Sequence, residues 1–401
     1  MCHLKIAEAS AKSSDTQQSL TDCIQDCNSA LNHAESSKKT NSNLRGKILF
    51  RRAKARVKLS IIQDSDNTSK ENLHAAEKDL LQLHSFTDTA IKKEGAKLLR
   101  ETRALQFDLF LRGVDVDIDM ETFTMPPRAD CPICMTLLPF DCTQSVFQVC
   151  CGKIICSACY ESTFYSGVQR GDMSAFMHRC VMCRGLPGEI GQNLNPFAGN
   201  NALVEKLVDK GNPDAMYMMA QRYLKGIEFA PLDVKKGMEL YHMAAVAGHD
   251  HACRELGLMY MKGENGLSRD IEKYMTLLIA AIRLGDPGSL HLYGQTQQLL
   301  QESGTTPMNR PKTCFLKSAS AGSEIALDTV KELYTAKDVT KEEYTDALRS
   351  YQKVQGEINS DERKLFLKRR ANKSALLDNV EGSDIPRKAL EILNNMVSGG
   401  V

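Results

Sequence analysis

The sequence predicts a mainly α-helical chain of several units, with one small α+β segment between two helical regions. Three observations predict this. Gly211, Gly248, Gly285 and Gly322 recur at a spacing of 37 residues. Residues 1–112 carry runs in which apolar side chains return every three or four positions. Nine of the 14 cysteines fall between Cys131 and Cys183, in a stretch too short to stabilise itself by burial alone. At 401 residues the chain also exceeds the length of one ordinary domain.

Charge and hydropathy exclude several classes of function. Lys plus Arg (51) almost cancels Asp plus Glu (50), which argues against nucleic acid as a partner. No apolar run approaches the ~18–20 residues that span a bilayer, and Met1-Cys2-His3-Leu4-Lys5 lacks the apolar core of a secretory signal. A cytoplasmic or nuclear protein is expected, with no membrane partner.

The N-terminal unit, 1–112, reads as helices at 19–31, 43–62 and 72–83, separated by Ser-, Asn- and Asp-rich stretches. Residues 113–129 alternate Val and Ile with Asp and reach Pro126-Pro127, so they read as a linker. The cysteine segment occupies 130–185, and a second Gly- and Pro-containing linker, 186–210, follows it. From 211 to 360 the glycine repeat takes over. Four positions after each repeat glycine stands Ala215, Ala252, Ser289 or Ala326; Tyr223, Tyr260 and Tyr334 share the register, with Gln297 in the third unit. Gly226 and Gly263 fit the same frame. Each unit is expected to be a helical hairpin, with small residues where helices touch and glycine at the ends. Such hairpins bury their apolar faces only by stacking into an α-solenoid. The third unit is degenerate, since Gln297–Thr306 is polar and Pro307 and Pro311 interrupt it. Residues 361–401 read as a charged, partly disordered tail, and its basic stretch from Lys364 to Arg370 as a solvated helix.

The cysteines come as Cys131-x-x-Cys134, Cys156-x-x-Cys159 and Cys180-x-x-Cys183, with Cys150 and Cys151 between the first two pairs. Two intervening residues let both sulfurs reach one ion, and four thiolates close a tetrahedral zinc site. Eight sulfurs suffice for two zinc ions. Closed sites leave no position for an activated water, so the metal is expected to hold the fold rather than to hydrolyse anything. Buried free thiols and an iron–sulfur cluster are the weaker readings of the same pattern.

Cys131-Pro132-Ile133-Cys134, Cys151-Gly152-Lys153-Ile154-Ile155-Cys156 and Cys180-x-x-Cys183-Arg184 resemble the RING domain of ubiquitin ligases. The resemblance implies crossed ligation, with Cys131, Cys134, Cys156 and Cys159 on one zinc and the middle pair with Cys180 and Cys183 on the other. Lys153 stands where many RINGs place a histidine ligand, and an ammonium cannot coordinate zinc. Cys150 is the nearest thiol and is favoured beside Cys151; His178 and Cys142 stay as alternatives. The resemblance also implies a ubiquitin-conjugating enzyme and ubiquitin as partners, with Ile133 and Arg184 as contact residues and no catalytic nucleophile. Val181 in place of the usual proline, and the absence of tryptophan, depart from the active pattern.

The C-terminal repeats are similar to Sel-1-like repeats, relatives of the tetratricopeptide fold, most clearly from Ala252 to Gly263. Together with CCGK at the middle ligands, this arrangement resembles a family of RING and Sel-like repeat proteins of algae, diatoms included. The N-terminal helices resemble tetratricopeptide repeats. Lys47 and Arg51 match the spacing at which chaperone-binding members clamp a peptide carboxylate, although a solvated basic face is the favoured reading of the pair. The functional expectation is a RING-type ubiquitin ligase whose helical repeats recruit protein substrates or chaperones. The alternative is a non-enzymatic zinc-containing adaptor.

Overall fold

A computed structural model of the chain describes residues 14–36, 42–63, 67–86, 88–116, 118–139, 144–162, 180, 182–183, 198–228, 230–302, 311–359, 361, 363–365 and 368. Its helices are α1 (Ser14–Ser36), α2 (Ser42–Gln63), α3 (Asn67–Gln82), α4 (Thr89–Arg112), α5 (Ala198–Asp209), α6 (Pro213–Lys225), α7 (Val234–Val246), α8 (Asp250–Lys262), α9 (Ile271–Arg283), α10 (Pro287–Glu302), α11 (Pro311–Ser320), α12 (Glu324–Thr335) and α13 (Lys341–Ile358). Two strands, β1 (Ser145–Gln148) and β2 (Lys153–Cys156), pair antiparallel with Ser145 opposite Cys156 and Gln148 opposite Lys153. The fold is mainly α, as expected, with a repeat solenoid and a sheet of two strands.

The chain divides into two compact units, one of residues 1–118 and 216–284 and one of 119–215 and 285–401. In the first, α2 has two apolar faces. Ala55 and Leu59 meet Leu20, Cys23 and Cys27 of α1, whereas Leu49, Ala53 and Val57 meet Leu73, Ala76 and Leu80 of α3. Positions four apart on one helix stack along one face, so α2 joins the N-terminal helices into one core. The periodicity placed three of these helices. It did not separate α4, which Asp88 starts by accepting hydrogen bonds from the amides of Ala90 (3.0 Å) and Ile91 (3.2 Å).

Buried between α2 and α3 lies a charge cluster that the sequence did not announce. Asp79, with its side chain 3% exposed, accepts from Arg52 Nε (2.8 Å) and Nη2 (2.5 Å) and from Arg56 Nη1 (2.5 Å). Arg52 also donates to Asn28 Oδ1 at 2.7 Å, and Arg56 to the carbonyl of Ala75 at 3.1 Å. Burial and the neighbouring Arg52 charge lower the Arg56 pKa, while Asp79 opposes that shift.

The repeat register is carried by backbone geometry. Gly211, Gly248, Gly285 and Gly322 all have positive φ, from 79° to 99°, a region that residues with a Cβ rarely enter. Ala215, Ala252, Ser289 and Ala326 are fully buried. A second signal repeats at the same interval. Asp233 accepts from the Lys236 amide at 2.9 Å and donates its own amide to the Tyr223 carbonyl; Asp270 does the same with Lys273 (3.0 Å) and Tyr260. The aspartates therefore cap α7 and α9 and fasten each helix to the one before it. In the third repeat α10 runs for 16 residues where α8 has 13, and Gln297 is buried in the tyrosine position.

Within the first unit α4 packs on α7, where the rings of Phe107 and His242 lie 4.3 Å apart. His242 Nε2 is buried with no hydrogen-bond partner among the described residues. Burial, assisted by Lys273, lowers its pKa from 6.5 to about 4. The unfolded chain thus binds a proton between these values that the folded chain does not. Stability should fall as pH drops from about 6.5 towards 4, by on the order of 2–3 kcal/mol, and level off below. Urea unfolding at pH 7.5 and 5 should show the loss, and His242→Leu should flatten it. An unchanged pH dependence in that variant would refute the assignment.

In the second unit Phe315, Ala319, Leu327 and Val330 form the core of α11–α13. Lys317 Nζ donates to the carbonyls of Glu121 (2.9 Å) and Phe123 (2.6 Å), tying residues 119–123 to α11. Among the described residues of 113–129 there is no helix or strand, and Ile118 and Met120 are buried. The second expected linker needs correction: residues 198–209 form α5, whose Leu203, Val204 and Leu207 are buried. Its glycines and prolines lie at or before Gly199, and the apolar spacing after them supports a helix. Of the basic stretch, Lys364, Leu365 and Lys368 are helical and exposed and the rest lies outside the described residues. Arg363, just before it, is buried.

Candidate metal centre

The cysteines are presented by two local devices. Around the first pair the chain turns back on itself: the Cys131 amide donates to the Thr136 carbonyl at 2.8 Å, and the Met135 amide to the Cys131 carbonyl at 2.9 Å. Asp130 bridges Leu137, and Met135 takes positive φ at the tip. Ile133 is 41% exposed on this loop. The second device is the β1–β2 turn, closed by the amides of Cys151 and Gly152 donating to the Gln148 carbonyl at 3.2 and 2.8 Å. Gly152 has φ +69°, and a Cβ there would stand 2.8 Å from Asn212 Nδ2. That turn presents the two adjacent cysteines, and β2 delivers Cys156 at its end.

Two sets of four sulfurs result, the atoms of each lying within 4.8 Å of one another: Cys131, Cys134, Cys156 and Cys159, and Cys150, Cys151, Cys180 and Cys183. The sets interleave along the chain. Tetrahedral thiolates about 2.3 Å from one zinc lie about 3.8 Å apart. Cys134 and Cys156 are separated by 3.9 Å, Cys151 and Cys180 by 3.7 Å, and Cys150 and Cys183 by 3.4 Å. Amides point at the sulfurs as well: Cys156 N to Cys131 Sγ and Cys159 N to Cys156 Sγ at 3.5 Å, and Met182 N to Cys180 Sγ at 3.4 Å. Both sets could hold a metal ion.

The electrostatics are those of crowded thiols. Burial pushes Cys150, Cys151, Cys156 and Cys159 up, and for Cys150, Cys151 and Cys159 neighbouring sulfurs add to the rise. Against burial, the hydroxyl of Thr136 (2.9 Å) and its amide bring Cys134 down to about 6. Against burial again, the amides of Cys183 and Met182 lower Cys180. Four thiolates in either set repel one another and need a cation between them.

Other expected site residues are not gathered here. Lys47 and Arg51 are exposed on α2, one turn apart, while Arg52 and Arg56 bind the internal carboxylate of Asp79. Cys142, His178, Val181 and Arg184 lie outside the described residues. Sequence reasoning missed Thr136, Gly152 and Arg363. Gly152 was visible in the CCGK run; nothing pointed to Arg363.

Fold and site together define a helical-repeat protein that carries a thiol-rich segment with two potential metal centres. The Sel1 repeat family model matches residues 213–249 and 250–286, the two units in which the repeat register is strongest. Among solved structures the chain is similar to a Sel1 repeat protein from Oxalobacter formigenes, at 24% identity over 32% of this chain and 95% of that one, with a TM-score of 0.29. It is also similar to c5321, a protective antigen of uropathogenic Escherichia coli displaying an SLR fold, at 12% identity over 88% of this chain and 87% of that one, with a TM-score of 0.26. The comparison with curated proteins returned no match. No helix among the described residues is long and apolar enough to cross a membrane.

Proposed function

We propose that residues 130–185 are a RING folded around two zinc ions, and that the chain is a RING-type ubiquitin ligase whose helical repeats bind protein partners. The observation that carries this reading is the interleaving of the two sulfur sets, which leaves Ile133 exposed on the loop of the first. Zinc supplies cross-links in place of a hydrophobic core. The protein's own part is positioning. Ile133 and Arg184 hold a ubiquitin-conjugating enzyme, whose thioester does the transfer, so the rate gain comes from restricting that thioester's conformations. Sel1 repeats at 213–286 support a protein-binding scaffold. Lys47 and Arg51 would receive an acidic peptide carboxylate.

Autoubiquitination over a panel of conjugating enzymes tests the proposal. Chain formation is expected from the wild type and should fall at least about tenfold in Ile133→Ala and in Arg184→Ala, the effect of losing some 1.4 kcal/mol of transition-state binding. Val181 and the lack of tryptophan favour the second reading, a zinc-containing adaptor without ligase activity. No chains with any conjugating enzyme, from metal-loaded protein, would establish that reading instead.

A further inference from the structure

Resting on the zinc reading above, we infer that Arg363 is the counter-charge of the first metal centre, and that it couples zinc loading there to its own docking between that centre and the end of α13.

Arg363 stands five residues beyond the end of α13 and 229 residues from Cys134, yet it is only 3% exposed. Its Nη2 lies 3.5 Å from Cys134 Sγ and donates to the Thr136 carbonyl at 3.2 Å. Its Nη1 donates to the Leu137 carbonyl and, at 2.5 Å, to the Ile358 carbonyl. The guanidinium thus bridges the loop that carries Cys134 and the end of α13.

Charge balance explains why a cation belongs there. Four thiolates around one divalent ion leave a net double negative charge, and burying such a charge without compensation is strongly unfavourable. The two centres differ in this respect. In the first set Cys131, Cys156 and Cys159 are buried and Cys134 half-buried, whereas in the second only Cys180 is buried, Cys150 and Cys151 are half-buried and Cys183 is exposed. Water can screen the second centre; the first needs a fixed positive group. Arginine suits the place because it does not lose its proton and because its planar fork reaches a sulfur and carbonyls together. By linkage, whatever Arg363 adds to zinc affinity, zinc adds to the docking of Arg363.

The test uses the full chain loaded with zinc and a competing chelator that reports released metal. Cys131→Ser and Cys183→Ser each remove one centre and so assign the two release phases. Arg363→Gln should speed release from the first centre by about 10–100-fold, the usual effect of losing an outer partner of a metal ligand. Release from the second centre should not change, and Arg363→Lys should fall between. In the wild type, stripping zinc should raise amide hydrogen exchange in peptides covering 358–365. That measurement decides the matter even if Arg363→Gln fails to fold. Unchanged exchange there, equal acceleration of both phases, or release from Arg363→Gln indistinguishable from wild type would overturn the inference. A wild type that holds no metal would overturn the zinc reading itself, whereas two bound ions with no effect at Arg363 would remove only this inference.

Discussion

Stripping the metal from the intact chain is expected to unfold residues 131–183 and to leave the helices standing. Among the described residues this segment offers only the small core of Cys131, Ile155, Cys156, Ala158 and Cys159, three of them candidate ligands. On the zinc reading proposed above, ligation is most of what holds it, and structural zinc contributes roughly 10–16 kcal/mol per ion in small model peptides. A chelator should abolish protease resistance across the segment and raise hydrogen exchange in β1 and β2. Helical circular dichroism should change little, because α2–α4 and α11–α13 have their own apolar cores. Cys156→Ser should reproduce the effect at the first centre. Acid should act in the same direction as chelation, since thiolate ligands must stay deprotonated to hold zinc. Stoichiometric metal analysis reads the outcome directly; a segment that stays protected without metal would defeat the interpretation.

Asp79→Ala is expected to destabilise the N-terminal helices by about 3–5 kcal/mol, the usual effect of removing one partner from a buried ion pair. The reason lies in what remains. Arg52 and Arg56, each 16% exposed, would stand one turn apart on the same face of α2 without the carboxylate that both grip. Replacing all three residues with apolar ones of similar volume should recover most of the loss, because no charge is then left in the interior. Denaturation of the full chain, with hydrogen exchange followed at α2 and α3, measures both variants. A loss below about 1 kcal/mol would place the trio with ordinary surface pairs.

How legible these features were depended on how local their signals are. The glycine interval and the small residues four positions on reported the repeat because backbone geometry repeats with the residue that permits it, as the positive φ of Gly211, Gly248, Gly285 and Gly322 makes plain. The paired cysteines reported a candidate metal site because ligands two residues apart can reach one ion. α5 escaped notice because the glycines and prolines before it outweighed three apolar positions. Asp79 and the two arginines escaped because 27 and 23 residues separate the partners, and a lone aspartate on a helix looks solvated.

Taken alone, then, the amino-acid sequence determined the helical class, the 37-residue register and the cysteines that belong together as pairs. Each of these is written in spacing along one stretch of chain. The crossed grouping was expected only through resemblance, and the tertiary structure alone showed that the turn at Gly152 brings both Cys150 and Cys151 to one set and that Arg363 meets Cys134 across 229 residues. Those outcomes depend on where packed helices and a hairpin place distant backbone, and no local pattern encodes a distance across the fold.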